Sequence, residues 1–403
     1  MRILLFAPVI GGHQPVVVSF LWRYWAEQGD DVTFVSWKDE AIVHQSGLQL
    51  PDLRFIAGPS DPGFEGSGAR RSFQIYRALQ QCLRWADEER ADVFHLLTLD
   101  YSEIPLLAAI RKARRRGRID TKIFGTMNWI WYGDAIRAYP WPKRLFFEVN
   151  RRALRRLLSG GDVRSVVVHT DEQKAAIVAA MGAPSVASQV SVVPNPTEAP
   201  PPISKQEARG RLGLPQNTTV FLFFGALRWD KGPDIFLEAL RAVRGDWTAV
   251  LAGAPKAFGT EDVEMWRSRL DAPNRLVARL EYIPTEDMHD YFAAADAVVL
   301  PYRRVFGGDS GVLQRAAENA TPVIATDAGV VGAIVRREGL GIVVEPESPD
   351  RLAEAIQTFL DDPALARDIE PRARDYARRS DWRVAGATFR QMYEGRPLSH
   401  ESD

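Results

Sequence analysis

Residues 306–327, FGGDSGVLQRAAENATPVIATD, decide how the rest of the chain is read. They open on a small turn, Gly307-Gly308-Asp309-Ser310-Gly311. Val312, Leu313, Ala316, Ala317 and Ala320 then recur at helical spacing, Thr321-Pro322 stops the helix, and Val323-Ile324-Ala325 reads as a buried strand. A glycine-rich turn feeding a helix leaves backbone N–H groups unpaired at the positive end of the helix dipole, which suits a phosphate. Ordinary strand–loop–helix connections share this pattern, so its meaning depends on what surrounds it.

Working back from that stretch, the second half repeats strand, turn and helix. Strand 220–224 runs into Gly225-Ala226-Leu227-Arg228-Trp229-Asp230-Lys231-Gly232-Pro233, where two cations precede a helix with proline at its start. Arg228 and Lys231 with a helix N-terminus can neutralise a diphosphate without a metal; two solvated surface charges are the plainer alternative. Strand 248–251 is followed by Gly253, which permits close backbone approach. Strand 277–281 is followed by the apolar ledge Tyr282-Ile283-Pro284. Ligands of open α/β sheets sit beyond the carboxyl ends of the strands. Anion donors at one end and an apolar ledge at the other match a nucleotide diphosphate.

The first half has the same grammar. Arg2–Val9 reads as a strand, Gly11-Gly12-His13 as a glycine turn, Val16–Gln28 as a helix and Asp31–Trp37 as a strand. That is a doubly wound parallel sheet without the G-x-G-x-x-G dinucleotide fingerprint. Residues 58–71 are expected to be a loop, and His95 lies near the end of strand 93–97. Strand 122–126 leads into an aromatic stretch beginning Asn128-Trp129. Pro194 to Ser204 holds five prolines and reads as a stiff linker. The expected division is residues 1–195 and 196–380, with a terminal helix in 381–403 packing back on the first domain.

At 403 residues, 46% hydrophobic and 26% charged, the chain has the composition of a soluble globular protein. Its one cysteine, Cys82, rules out a disulfide framework and a thiolate metal cluster and fits a reducing cytoplasm. The N-terminal MRILLFAPVI reads as a first buried strand rather than a signal peptide, and no apolar run is long enough to span a membrane. No His/Asp/Glu spacing reads as a metal site, so neither metal nor cofactor is expected. From Arg111 to Arg164 there are fifteen Lys/Arg against four Asp/Glu, within a chain of net charge −1. Residues 139–158 contain an apolar stripe, Trp141, Leu145, Phe146, Val149, Ala153 and Leu157, beside Lys143, Arg144, Arg151, Arg152, Arg155 and Arg156. That pattern suits peripheral contact with an anionic membrane, or a helix packed on its own domain with solvated arginines. No nucleic-acid module accompanies the basic block.

Together these segments resemble the retaining glycosyltransferases of family four with the GT-B fold. GALRWDKGPDIFLEAL resembles the family's G-R-L-x-x-x-K-G segment, YIPTEDMHDYFAAADAVVLPY its Y-V-P…Y-x-x-A-D…P segment, ATPVIATDAGVVGAIV its G-T-P-V-I-A-T segment, and VVPNP its I-P-N-G. The resemblance covers nearly the whole chain and implies two Rossmann-like domains facing across a cleft. A nucleotide-sugar (UDP or GDP) would sit on the second domain. An acceptor, whether sugar, lipid-linked or small-molecule, would sit on the first. It implies that Arg228 and Lys231 contact the diphosphate, that Gly225, Gly253, Tyr282 and Ile283 lie along the nucleotide, and that Gly308 and the amides of Ser310, Gly311, Val312 and Leu313 meet the distal phosphate. Gly12 would touch the donor, and His13, His95, Asn128 and Trp129 the acceptor side. The family's paired glutamates fall on Gly307 and Arg315, so Asp309 and Glu318 are the carboxylates left to serve the donor sugar and ribose. Asn128 stands where the family has histidine. A non-catalytic nucleotide-sugar-binding subunit and a GT-B sugar-nucleotide epimerase are the alternatives.

Overall fold

The computed structural model describes residues 1–8, 14–37, 53–56, 68–117, 120–129, 140–271 and 275–398. The chain divides into one unit of Met1–Pro196 with Trp382–Asp403 and a second of Thr197–Asp381.

The first unit is built on β1 (Arg2–Ala7), β2 (Asp31–Trp37), β3 (Leu53–Ile56), β4 (Val93–Leu96), β5 (Lys122–Thr126), β6 (Ser165–Val168) and β7 (Val190–Val192). Its helices are α1 (Gln14–Glu27), α2 (Gly68–Glu88), α3 (Glu103–Arg114), α4 (Trp141–Ser159) and α5 (Asp171–Met181). The strands lie parallel in the order β3-β2-β1-β4-β5-β6-β7. Strand order therefore reverses between β1 and β4, the place where such sheets take ligands. Strand β1 shows the pattern of a strand covered on both faces, an unbroken apolar run from Ile3 to Ala7 that is buried throughout. Strand β3 has no counterpart in the sequence reading. Gly68–Arg71, expected in a loop, open helix α2.

The second unit holds β8 (Thr219–Phe224), β9 (Trp247–Ala252), β10 (Leu276–Arg279), β11 (Ala297–Leu300), β12 (Val323–Thr326) and β13 (Gly341–Val344). The helices that follow the linker are α6 (Lys205–Leu212), α7 (Pro233–Leu240), α8 (Thr260–Arg267), α9 (Thr285–Ala294), α10 (Gly311–Glu318), α11 (Val331–Glu338), α12 (Pro349–Asp361) and α13 (Ala364–Arg379). The strands are again parallel, in the order β10-β9-β8-β11-β12-β13, with the reversal between β8 and β11. A core of Phe221, Phe223, Phe236, Leu237, Trp247, Ile324 and Phe359 fills this unit.

Helix α14 (Trp382–Glu394) completes the first unit. Trp382, Ala385, Phe389, Met392 and Tyr393 share a core with Ile3, Leu5, Leu21 and Trp25. Helix α4 departs from the stripe expected of it. Ala153 and Leu157 are buried with Phe147, Asn150, Leu154 and Leu158, but Trp141, Leu145 and Val149 are 75%, 55% and 40% exposed. No helix among the described residues is long and apolar enough to cross a membrane.

Candidate active site

The second unit brings Gly225, Lys231 and the start of α10 together at the reversal between β8 and β11. Past β8, residues 229–231 form a short 3-10 turn that ends at Gly232, and α7 starts at Pro233. Gly232 has φ +66, and a Cβ there would stand 2.2 Å from the carbonyl oxygen of Pro301. Only glycine lets this turn lie against the end of β11. Arg228 donates through Nε to Oδ1 of Asp230 at 2.8 Å and through Nη2 to Oδ2. Burial works against the guanidinium's charge, but Asp230 more than restores it, so its pKa stands above the ordinary value.

Lys231 turns inward. Its Nζ lies 5.8 Å from the ring centroid of buried Tyr302. A Cβ on Gly225 would meet that Nζ at 2.9 Å and a Val312 methyl at 3.6 Å, so β8's end, Lys231 and the start of α10 converge. Burial, then the charge of Arg228, bring the Lys231 ammonium down to about 8. Lys231 is partly exposed as a residue, but its amine is the enclosed end, and that end sets the titration. Gly253, at φ +148, runs against the same turn. Its N–H donates to the carbonyl of Arg279 at 2.9 Å, and a Cβ would fall 2.0 Å from the carbonyl oxygen of Gly225.

Ser310 caps α10. Its backbone is extended, its Oγ accepts from the Leu313 N–H at 3.3 Å, and it lies 3.0 Å from the Tyr302 hydroxyl. Asp309 is not the cap; its Oδ1 accepts the Ser310 N–H at 2.6 Å. Of the four amides expected at the distal phosphate, those of Ser310 and Leu313 are therefore already engaged. Gly311 and Val312 lie in the first turn, where a helix's own N–H groups have no intrahelical acceptor. Gly308 lies in the turn leading to this cap. Tyr282 is exposed and Ile283 buried, in the segment between β10 and α9.

Two expectations need correction. Glu318, read as a ribose ligand, is interior: its side chain is 1% exposed, it pairs with Arg315 at 2.5 Å and it accepts the Glu198 N–H at 3.1 Å. Burial raises that carboxyl to about 7. His95, read as an acceptor contact, is fully buried between the Tyr393 hydroxyl (Nδ1, 2.5 Å) and Thr126 Oγ1 (Nε2, 2.9 Å). Burial lowers it to about 3, so it stays neutral. Gly12 and His13 lie outside the described residues.

The first unit has its own polar cluster at the ends of β4, β5 and β6. Buried Asp100 accepts the N–H groups of Asn128 at 3.0 Å and Trp129 at 2.8 Å. Burial raises its carboxyl to about 6 against those bonds. Asn128 reaches His169 Nε2 at 3.2 Å, and His169 Nδ1 meets the carbonyl of Val193 at 3.0 Å. Asp100 and His169 were not among the expected site residues, nor were Asp230, Tyr302 and Arg303. Each lies just past a strand's carboxyl end, which is the signal that could have marked them. Among the described residues no group of three or more His, Cys, Asp or Glu is placed to hold a metal ion.

A family model described as "Glycosyl transferases group 1" matches residues 204–376, and one described as "Glycosyl transferase 4-like domain" matches residues 11–196. A D-inositol 3-phosphate glycosyltransferase of Streptomyces avermitilis is 28% identical over 211 residues, 50% of this chain and 45% of that protein. The chain thus spans less than half the length of such curated relatives. Among solved structures, sucrose-phosphate synthase from Thermosynechococcus elongatus has a TM-score of 0.77 at 19% identity, covering 98% of each chain. Anabaena HepE in complex with UDP has a TM-score of 0.74 at 18% identity, covering 98% of this chain and 100% of that one. These last two likenesses speak to the fold, which is that of GT-B glycosyltransferases. With both units matched and cations gathered at the second sheet's reversal, the chain belongs to the group 1 and family-4-like glycosyltransferases.

Proposed function

We propose that the second unit binds a UDP or GDP sugar and that the enzyme moves the sugar to an acceptor hydroxyl with retention and without a metal. The observation that carries this is the convergence of Lys231, Gly225 and the first turn of α10, with Arg228 one turn away. The bond from the anomeric carbon to the diphosphate breaks, and Arg228, Lys231 and the amides of Gly311 and Val312 stabilise the charge that leaves. The acceptor oxygen attacks the same face and gives its proton to the departing phosphate oxygen. Asp309, beside the cap of α10, would orient the donor sugar. The acceptor would bind the first unit around Asn128, Trp129 and His169. The UDP in the Anabaena structure supports a nucleotide donor. Arg228→Ala and Lys231→Ala should each lower transfer from UDP- or GDP-sugars about tenfold or more, since charge-assisted hydrogen bonds are worth about 1.5–3 kcal/mol each. Wild-type rates in both variants would refute the site. Donor conversion with no acceptor present would favour an epimerase, and binding without turnover a non-catalytic subunit.

This reading places the enzyme in the cytoplasm against an anionic membrane, through residues 139–158. One line of α4 reads Trp141, Leu145, Val149, Arg152, Arg156, apolar then cationic, and every member is exposed. It lies opposite the buried side formed by Phe147, Asn150, Leu154 and Leu157. Exposed apolar side chains continuous with basic ones suit the headgroup boundary, where each basic residue is worth about 1 kcal/mol. The protein should pellet with phosphatidylserine vesicles at low salt and be released at high salt. Failure to pellet at low salt would leave only a freely diffusing enzyme.

A further inference from the structure

Arg303 lies three residues past β11, on the far side of the strand reversal from the cationic turn, and it is buried. Its guanidinium takes Asp234 in a fork, Nη1 to Oδ1 at 3.0 Å and Nη2 to Oδ2 at 2.6 Å. Nη1 also donates to the carbonyl of Trp229, and the guanidinium carbon stands 4.5 Å from the Trp229 ring centroid. Its backbone N–H donates to the carbonyl of Asp230 at 2.9 Å. One residue thus fixes the turn at Trp229, Asp230 and Asp234, on both sides of Lys231.

We propose that Arg303 is the positioning residue of the diphosphate cations, holding residues 229–234 so that the Lys231 amine stays beneath Gly225 and Tyr302. The fork is committed to Asp234 and Trp229, so Arg303 acts through the turn and not on the ligand. Shape matters here as well as charge. A planar guanidinium serves a carboxylate, a carbonyl and an aromatic face together, whereas an ammonium is a point charge on a flexible stem. Lysine should therefore fail to replace it. The inference rests on the donor reading of the site.

Titration calorimetry with UDP, GDP, UMP and GMP separates the two. Wild type should bind one diphosphate more tightly than its monophosphate. Arg303→Met and Arg303→Lys should each weaken that diphosphate about tenfold while changing the monophosphate less than about threefold. Asp234→Asn should weaken it in the same sense, to a smaller degree. Unchanged diphosphate affinity in Arg303→Met, full recovery in Arg303→Lys, or equal loss of mono- and diphosphate would each overturn the proposal. If Arg303→Met does not fold, Asp234→Asn decides by the same comparison. Wild type that binds none of the four nucleotides would instead sink the donor reading, and the proposal with it.

Discussion

Lys231 is the residue on which charge and burial compete most directly. In the proposed donor site its ammonium would meet a diphosphate, yet burial and Arg228 hold it near 8, below the 10.5 of a free lysine. Diphosphate affinity should therefore be nearly full below about pH 7 and fall by up to about tenfold per unit above about pH 8, as the amine loses its proton. Lys231→Arg, always charged, should flatten that fall. Calorimetry with UDP or GDP from pH 7 to 9.5 checks both, and a flat wild-type curve would contradict the assignment. Stability moves the other way. Between about pH 8 and 10.5 the unfolded chain holds a proton that the folded one has released, so wild type should gain stability with rising pH there. The identity of this lysine was legible in the spacing R-x-x-K-G ahead of a helix. Its enclosure was not, because the groups beside it, Gly225 and Tyr302, are brought together only by the strand order.

At the scale of elements, helix α10 shows what pattern can and cannot fix. Its apolar positions at 312, 313, 316 and 317 gave the helix directly, and all four are buried. Asp309 and Ser310 are both good cap residues, and residue type alone does not choose between them. The extended backbone at Ser310 and the contact of its Oγ with Leu313 decide it. Ser310→Ala should cost about 1–2 kcal/mol, lowering the unfolding temperature of the second unit by a few degrees, because it removes the cap and a partner of the buried Tyr302 hydroxyl. Calorimetry measures this directly; an unchanged transition would mean that Asp309 can replace the cap. Helix α4 shows a limit of another kind. Its spacing announced an amphipathic helix, but two stripes share the segment, and only the neighbouring elements decide that Leu154 is covered and Leu145 is not.

For the whole molecule, the two restarts of the β–turn–α pattern and the proline-rich stretch made two α/β units readable from the chain. Less readable was anything depending on residues far apart in sequence. Strand β3 is four residues long and is held by pairing with β2. His95 reads as a ligand because of its place at a strand end, and becomes a core residue because Tyr393, nearly three hundred residues later, closes over it. That closure makes a prediction about how the chain can be cut. Trp382, Phe389, Met392 and Tyr393 are buried in the first unit's core. At about 1.5–3 kcal/mol for each large apolar side chain, they contribute about 6–12 kcal/mol, as much as the whole net stability of an ordinary domain. Residues 1–196 alone should therefore lack a cooperative unfolding transition and should regain one when a peptide of residues 382–403 is added. Residues 197–381, whose core includes none of α14, should fold alone and still bind UDP or GDP. Circular dichroism and calorimetry on the two fragments decide the matter. A cooperative transition in residues 1–196 at the temperature of the full chain would show that the final helix is an accessory and not a part of the first unit's core.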